Sequence, residues 1–145
     1  MLLRDYLSAP FCFARSSTAI TMLSIYEVNR TAIVLLSQMV ENCNGQDVSQ
    51  ARAELINLVE EQIELVQVKY DETSTLAQQY TDKRLEAKAE FERTLDPWDF
   101  QDYTRAAREA EEATEESYCY REQLTYLQQL RSRQLHYVVL ADMKS

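Results

Sequence analysis

The middle of the chain carries an unbroken stripe of mostly apolar positions separated by alternating steps of three and four residues. Its members are Ile56, Val59, Ile63, Val66, Tyr70, Thr73, Ala77, Tyr80, Arg84, Ala87 and Phe91. Residues at this spacing lie on one side of an α-helix, and the alternation is typical of coiled coils. The pattern therefore predicts one long helix over residues 47–94.

The same spacing resumes after the tetrapeptide that begins with Asp96 and Pro97. Its members are Tyr103, Ala106, Ala110, Ala113, Ser117, Tyr120, Leu124 and Leu127. The Asp96 carboxylate can accept a hydrogen bond from a free amide at a helix start, and proline suits the first helical position because its missing N–H would have no partner there. We predict a second long helix over residues 97–142, folded back on the first as an antiparallel coiled-coil hairpin.

The two stripes are complementary in size when the hairpin closes at this tetrapeptide. The register places Tyr80 opposite Ala113. It also places Tyr120 opposite Thr73, and the two small residues Ala77 and Ser117 opposite each other. Large residues facing small ones let two helices interdigitate at the density of a protein interior.

An earlier helix is predicted over residues 17–43, with its end at Asn44 and Gly45. Its apolar positions are Met22, Tyr26, Ile33, Leu36, Val40 and Cys43, flanked by Ile25, Val28, Ala32, Leu35 and Met39. So broad an apolar face is expected to contact more than one neighbour. Asp47 and Gln50 have the spacing of a capping box at the start of the next helix.

These elements predict an all-α fold. The first helix is too short to follow the second over its whole length, so we predict a three-helix base from which the antiparallel hairpin projects. Residues 16–145 would form this single helical domain, and residues 1–15 an apolar N-terminal arm. The composition agrees, because one glycine and two prolines leave room for few chain reversals.

The charge of the chain limits the classes of partner that it is expected to bind. The formal net charge is −9, and nonspecific binding to nucleic acids or anionic membranes needs a positive face, so we expect no direct nucleic-acid binding. Residues 96–116 carry eight acidic residues and two basic ones. The predicted acidic face comprises Asp96, Asp99, Asp102, Glu109, Glu112 and Glu116. Such a face complements the dipole at a helix N-terminus and offers a surface to a basic partner.

Side chains that catalyse reactions or bind metals are scarce. His136 is the single histidine, which excludes sites with two histidine ligands. The cluster of Glu60, Glu61 and Glu64 lacks a second acidic pair at a spacing suited to Mg²⁺. Gly45 is the single glycine, so neither a Gly-rich phosphate loop nor a nucleophile elbow is present. We expect no enzyme, with no catalytic residue, no metal and no cofactor.

The cysteines and the first residues of the chain indicate the cellular compartment in which we expect the protein. Cys12, Cys43 and Cys119 are widely spaced, which is neither a zinc pattern nor a disulfide framework, so free thiols among apolar neighbours are expected. Arg4 and Pro10 interrupt the apolar start of the chain, unlike the core of a signal peptide. No stretch approaches the ~18 apolar residues of a membrane span, so we expect no membrane insertion. The expected location is the cytoplasm.

Ten apolar and aromatic residues form the predicted partner-binding set. They are Leu2, Leu3, Tyr6, Leu7, Phe11, Phe13, Trp98, Phe100, Tyr118 and Tyr126. The first six belong to the N-terminal arm, whose uncovered surface water would penalise. Trp98 and Phe100 either seal the end of the hairpin or insert into a partner. Tyr118 and Tyr126 fall outside the stripe, and exposed aromatic residues are enriched at interfaces.

Two functions fit these features. The first is a non-enzymatic protein–protein interaction protein, such as an assembly factor, an adaptor or a chaperone-like hairpin, whose partner is another protein or a second copy of the chain. The alternative is an acidic inhibitor that mimics DNA phosphates and binds a basic nuclease or nucleic-acid-binding complex. A complex that dissociates in salt would favour mimicry, whereas a salt-tolerant apolar complex would favour the adaptor.

Overall fold

A computed structural model describes residues 25–144 as three α-helices, and no strand occurs within that range. Helix α1 spans Ile25–Glu41, α2 spans Ser49–Thr94 and α3 spans Pro97–Lys144. The predicted all-α class is therefore confirmed. The two long helices contain 46 and 48 residues, and their inner boundaries at Thr94 and Pro97 agree with the sequence prediction.

The turn between α1 and α2 depends on two residues with left-handed backbone. Asn44 has a φ of 44° and Gly45 a φ of 83°. Glycine adopts this conformation without a steric penalty, and asparagine is among the few other residues that tolerate it. The Gln46 backbone N–H donates to the carbonyl of Cys43 at 2.7 Å, so the chain reverses within a few residues of the end of α1.

The start of α2 is capped differently from the prediction. The backbone N–H and the hydroxyl of Ser49 both donate to Oδ1 of Asp47, at 2.9 and 2.6 Å. The Ser49 hydroxyl, followed by its backbone N–H, lowers the pKa of the Asp47 carboxyl below its ordinary value. Gln50 does not reach back to the cap. Its amide lies 3.4 Å from a carboxylate oxygen of Glu54, so the predicted capping box is wrong in its second half.

The chain divides into two compact units, one comprising Met1–Gln67 with Glu122–Ser145 and the other Val68–Arg121. Within the described part of the first unit, segments of all three helices contact one another. The hydroxyl of Tyr26 on α1 donates to Oε1 of Gln123 on α3. The amide of Gln62 on α2 donates to the carbonyl of Tyr26 at 3.1 Å. The buried apolar residues of this unit are Tyr26, Ile33, Val34, Val40, Leu55, Ile56, Val59, Val66, Leu124, Tyr126, Leu127 and Leu130.

The second unit is formed by the end of α2 and the start of α3. The hydroxyl oxygens of Ser74 and Ser117 lie 3.0 Å apart and share a hydrogen bond. The predicted register places Ala77 opposite Ser117, so this contact lies about one helical turn away from that register. Ala110, Ala113 and Ser117 are buried, as expected for the small residues of a helix-to-helix contact.

Candidate functional site

The described residues contain no cluster suited to metal chemistry. Within residues 25–144, no group of three or more histidine, cysteine, aspartate or glutamate side chains is placed to hold a metal ion. His136 is exposed and lies beside Tyr137, with ring centroids 6.4 Å apart. Across the same range, none of the helices combines the length and apolar character needed to cross a membrane.

The two described cysteines differ from each other. Cys43 is a free, half-buried thiol. Cys119 is disulfide-bonded. The expectation that all three cysteines are free is therefore wrong for Cys119.

The backbone at the α2–α3 junction, residues 94–99, is held by local hydrogen bonds. The Trp98 backbone N–H donates to Oδ1 of Asp96 at 2.8 Å, which confirms Asp96 as the cap of α3. The Asp96 N–H donates to the hydroxyl of Thr94 at 3.2 Å, and that hydroxyl donates to the Asp99 carboxylate. Two of the predicted acidic residues therefore help to build the junction.

Leu95 sits in this junction with an unusual backbone. Its φ is 55°, and its N–H donates to the carbonyl of Phe91 at 2.7 Å. A helix commonly ends with a left-handed residue at this position, but that residue is usually glycine, since a side chain costs ~1–2 kcal/mol there. The Leu95 side chain gains little burial in return, because it is 73% exposed.

The two aromatic residues predicted at the tip have different environments. Phe100 packs against Phe91, with ring centroids 5.2 Å apart and ring planes 52° apart. Trp98 is 73% exposed. Phe100 is still 48% exposed despite this contact, so the ring of Phe91 covers it only in part, whereas Trp98 is open to solvent. We call Leu95 and Trp98 together the junction surface.

The two tyrosines predicted outside the stripe also have different environments. Tyr118 is exposed, whereas Tyr126 is 4% exposed and belongs to the core of the first unit. Burial raises the pKa of Tyr126 to about 12, with the Glu41 carboxylate adding to the shift and Arg133 opposing it. Tyr126 therefore does not lie on an exposed face, because the apolar face of α3 shifts towards it.

The remaining predicted residues are only partly described. Leu2, Leu3, Tyr6, Leu7, Phe11 and Phe13 lie outside the described residues. On the acidic face, Asp96, Asp102 and Glu112 are exposed, while Asp99, Glu109 and Glu116 are half-buried. An Asp102 carboxylate oxygen lies 3.8 Å from the Arg105 guanidinium, and both side chains are largely exposed. Such a surface pair contributes little to stability, but it reduces the charge that this end of the face presents.

A second exposed surface lies on α1, and sequence reasoning did not foresee it. Half or more of each of four large apolar residues is exposed: Ile25, Val28, Leu35 and Met39. With half-buried Ala32, they recur at alternating steps of three and four. We call these five residues the outer stripe of α1. The sequence predicts all five as flanks of one broad apolar face that contacts more than one neighbour.

The opposite face of α1 is buried although it contains polar residues. Tyr26, Ile33 and Val40 pack inward, and so do Asn29 and Ser37. Nδ2 of Asn29 and Oγ of Ser37 have no hydrogen-bond partner among the described residues. The stripe of Tyr26, Ile33 and Val40 predicted from the sequence is therefore the buried one. The flanking residues form a second stripe, offset from it by one residue, and periodicity does not decide whether that stripe is covered.

A cleft of about 420 Å³ in the first unit is lined by Glu41, Cys43, Arg52, Arg133 and Tyr137, among others. The Arg52 guanidinium lies 5.0 Å from the centre of the Tyr137 ring, and its Nε donates to Gln134 at 3.1 Å. Arg133 lies 3.9 Å from the Glu41 carboxylate. Because both guanidinium groups already have partners within the protein, the cleft is a weak candidate for an anion site.

Comparison with known proteins does not supply a family. No protein-family model, no curated protein and no solved structure matches this chain. The candidate functional surfaces of the described residues are the junction surface, the acidic face and the outer stripe of α1.

Proposed function

We propose that this chain is a non-enzymatic protein–protein interaction protein, of the assembly-factor, adaptor or chaperone-like kind, that binds its partner through the junction surface. The observation that carries the proposal is the exposure of Leu95 and Trp98 on a junction that local hydrogen bonds hold in place. Exposed single apolar residues are common, but tryptophan is among the residues that contribute most binding energy at interfaces.

The backbone of Leu95 supports this reading. A leucine with left-handed backbone and an exposed side chain is unfavourable for two reasons. The backbone conformation is sterically strained, and the apolar side chain contacts water. Glycine or asparagine would end α2 at a lower cost. Strained residues of this kind persist where a contact depends on them, so an observed outlier is a reason to propose a function.

The surroundings of the junction surface define the chemistry of the partner. Asp96 and Asp102 are exposed close to Trp98 in the sequence, and the acidic face continues along α3. An apolar socket on the partner, bordered by lysine or arginine residues, would match both features. The exposed Tyr118 lies further along α3 and is assigned a peripheral role.

The test is a site-specific photo-crosslink. A photoreactive amino acid replaces the exposed Gln101, one turn from Trp98, and the full chain is irradiated in a lysate of the cells that produce it. We expect one discrete protein adduct, present with the wild-type surface and lost in the Trp98→Ala and Leu95→Gly variants.

The matched control is Leu85→Ala, which removes a leucine of comparable type that is exposed away from the junction. This variant should leave the adduct unchanged. The absence of any adduct, or equal loss in the control, would contradict the proposal.

The acidic inhibitor is retained as a second candidate because the acidic face is partly exposed. In the same experiment, an adduct that disappears at about 1 M NaCl and in a Glu109→Gln, Glu112→Gln, Glu116→Gln variant, but survives Trp98→Ala, would favour mimicry. The engagement of Asp96 and Asp99 within the junction makes this candidate the weaker one.

Three further expectations stay predictions. They are partner binding by the N-terminal arm, the projection of the hairpin from a three-helix base, and the cytoplasmic location. A disulfide is more typical of oxidising compartments, so the bonded Cys119 argues against the last of these.

A further inference from the structure

The outer stripe of α1 is a regular apolar surface in the described part of the chain. Its five members occupy positions 25, 28, 32, 35 and 39, which is the spacing of the contact seam in a coiled coil. Half or more of Ile25, Val28, Leu35 and Met39 is exposed. A helix that presents such a seam to water has a second contact face in addition to the one that packs on its own unit.

We propose that the outer stripe of α1 pairs with the same stripe of a second copy of this chain, in an antiparallel two-helix contact. This inference goes beyond the proposed function, since it rests on residues of α1 and not on the junction surface. Charge and side-chain size favour a second copy at this face, and the length of the helix limits the strength of the contact.

Charge favours a second copy at this face. The chain carries a net charge of −9, so two copies repel each other over most of their surfaces. The stripe itself has no ionisable residue, and the exposed neighbours Thr31 and Gln38 are neutral. Of the acidic residues on α1, Glu27 is half-buried and Glu41 lies near the Arg133 guanidinium. Two copies can therefore approach along this face with little electrostatic penalty.

Side-chain size favours the antiparallel arrangement. One antiparallel register places Val28 opposite Met39 and Ala32 opposite Leu35, and the two-fold axis repeats both pairs. Small residues then face large ones, as efficient packing requires. A parallel pair would instead place Ala32 opposite Ala32 and leave a gap between the helices.

The length of α1 sets the strength of the pair. The described part of α1 contains seventeen residues, which form about 25 Å of helix. A stable dimer usually buries ~800 Å² on each partner, whereas the outer stripe offers only five side chains to the contact. We therefore expect a reversible dimer with a dissociation constant on the order of micromolar.

Sedimentation velocity and light scattering of the full chain test this inference, from about 2 to about 200 µM, the range in which so small an interface dissociates. The wild-type mass should rise from monomer towards dimer over this range. Leu35→Glu should weaken the association at least about tenfold, because it places two carboxylates in the contact. The control is Leu85→Glu, an identical substitution at a residue with nearly the same exposure, 55% against 56% for Leu35, and it should change the dissociation constant less than about twofold.

A double variant tests the register. With Ala32→Lys and Leu35→Glu in one chain, the antiparallel pair brings each lysine beside a carboxylate of the other copy, so association should return at low salt and fall again at high salt. Circular dichroism confirms that the variants keep the helical content of the wild type.

Several results would overturn the inference. One is a wild-type chain that stays monomeric at every concentration, as expected if residues 1–24 cover the stripe. Another is an equal weakening of the association by Leu35→Glu and Leu85→Glu. A double variant that remains monomeric at low salt would overturn the antiparallel register. The binding proposed at the junction surface and the dimer proposed for α1 can be disproved independently. Leu95→Gly should leave the association of two copies unchanged, and Leu35→Glu should leave the crosslink unchanged.

Discussion

Phe91, near the end of α2, and Phe100, in the first turn of α3, pack their rings against each other across the junction, with centroids 5.2 Å apart and planes 52° apart. A tilted arrangement at this distance is favourable because the edge of one ring meets the face of the other. The contact links the ends of two helices that are separated by only Leu95 and Asp96.

The first prediction concerns this ring contact. Phe91→Ala should lower the free energy of unfolding by about 1–2 kcal/mol, since Phe91 is only half-buried and the loss falls below that of a core phenylalanine. Urea denaturation followed by circular dichroism measures the change. Trp98→Ala, at an exposed aromatic residue in the same junction, should change it by less than about 0.5 kcal/mol. Equal losses in the two variants would show that the ring contact is not a stabilising one.

The left-handed backbone of Leu95 predicts a substitution that makes the protein more stable. Leu95→Gly should raise the free energy of unfolding by about 1 kcal/mol, because glycine adopts a φ of 55° without the clash of a side chain. Leu85→Gly, in the middle of α2, should lower it by about 1 kcal/mol. A decrease in both variants would mean that the leucine side chain contributes more to folding than its exposure indicates.

The buried hydroxyl of Tyr126 predicts a loss of stability in alkali. Its pKa is raised from 10.0 to about 12 in the folded protein, mainly by burial. The folded state therefore holds the phenolic proton more tightly than the unfolded state does. The stabilising contribution is complete below pH 10 and is lost as the pH rises from 10 towards 12.

Urea midpoints of the wild type and of Tyr126→Phe, recorded between pH 8 and pH 12, test this sign. The variant should lose less stability over the upper part of the range. Parallel curves would show that Tyr126 ionises equally readily in the folded and unfolded chains.

The hydrogen bond between Tyr26 and Gln123 gives the fourth prediction. Tyr26→Phe removes the donor while keeping the ring, so the buried carbonyl of Gln123 loses a partner that α1 supplies. The expected decrease in the free energy of unfolding is about 1–2 kcal/mol. Tyr118→Phe, at an exposed tyrosine, serves as the control and should leave the urea midpoint unchanged.

The sequence predicts the ends of the long helices well because local chemistry decides them. Asp96 caps α3 through the Trp98 amide, and Pro97 begins the helix at the position where a proline costs nothing. The register is harder to predict, since a 3–4 pattern looks nearly the same after a shift of one turn. The bond between Ser74 and Ser117, one turn from the predicted contact of Ala77, is a consequence of that ambiguity.

Periodicity predicts the buried stripe of Tyr26, Ile33 and Val40 on α1, but it does not predict that the flanking apolar residues are exposed. The helix has apolar residues around most of its circumference, so two overlapping stripes compete for the core. The buried face includes Asn29 and Ser37, and its hydrogen bonds depend on Gln62 and Gln123, far away in the sequence. Hydrogen bonds to residues far away in the sequence cannot be recognised in the local pattern of apolar positions. They hold one side of α1 against the core, and Leu35 and Met39 are exposed as a result.

The polar inner face of α1 also determines how the first unit opens. Each buried group without a hydrogen bond, such as Nδ2 of Asn29 or Oγ of Ser37, costs about 1–3 kcal/mol relative to its hydrated state. This cost is recovered when α1 detaches, so α1 should separate from the unit before α2 and α3 unfold. Its amide hydrogens should therefore exchange with deuterium sooner than those of the α2 segment around Val59 and Val66, and the first unit would unfold in two steps.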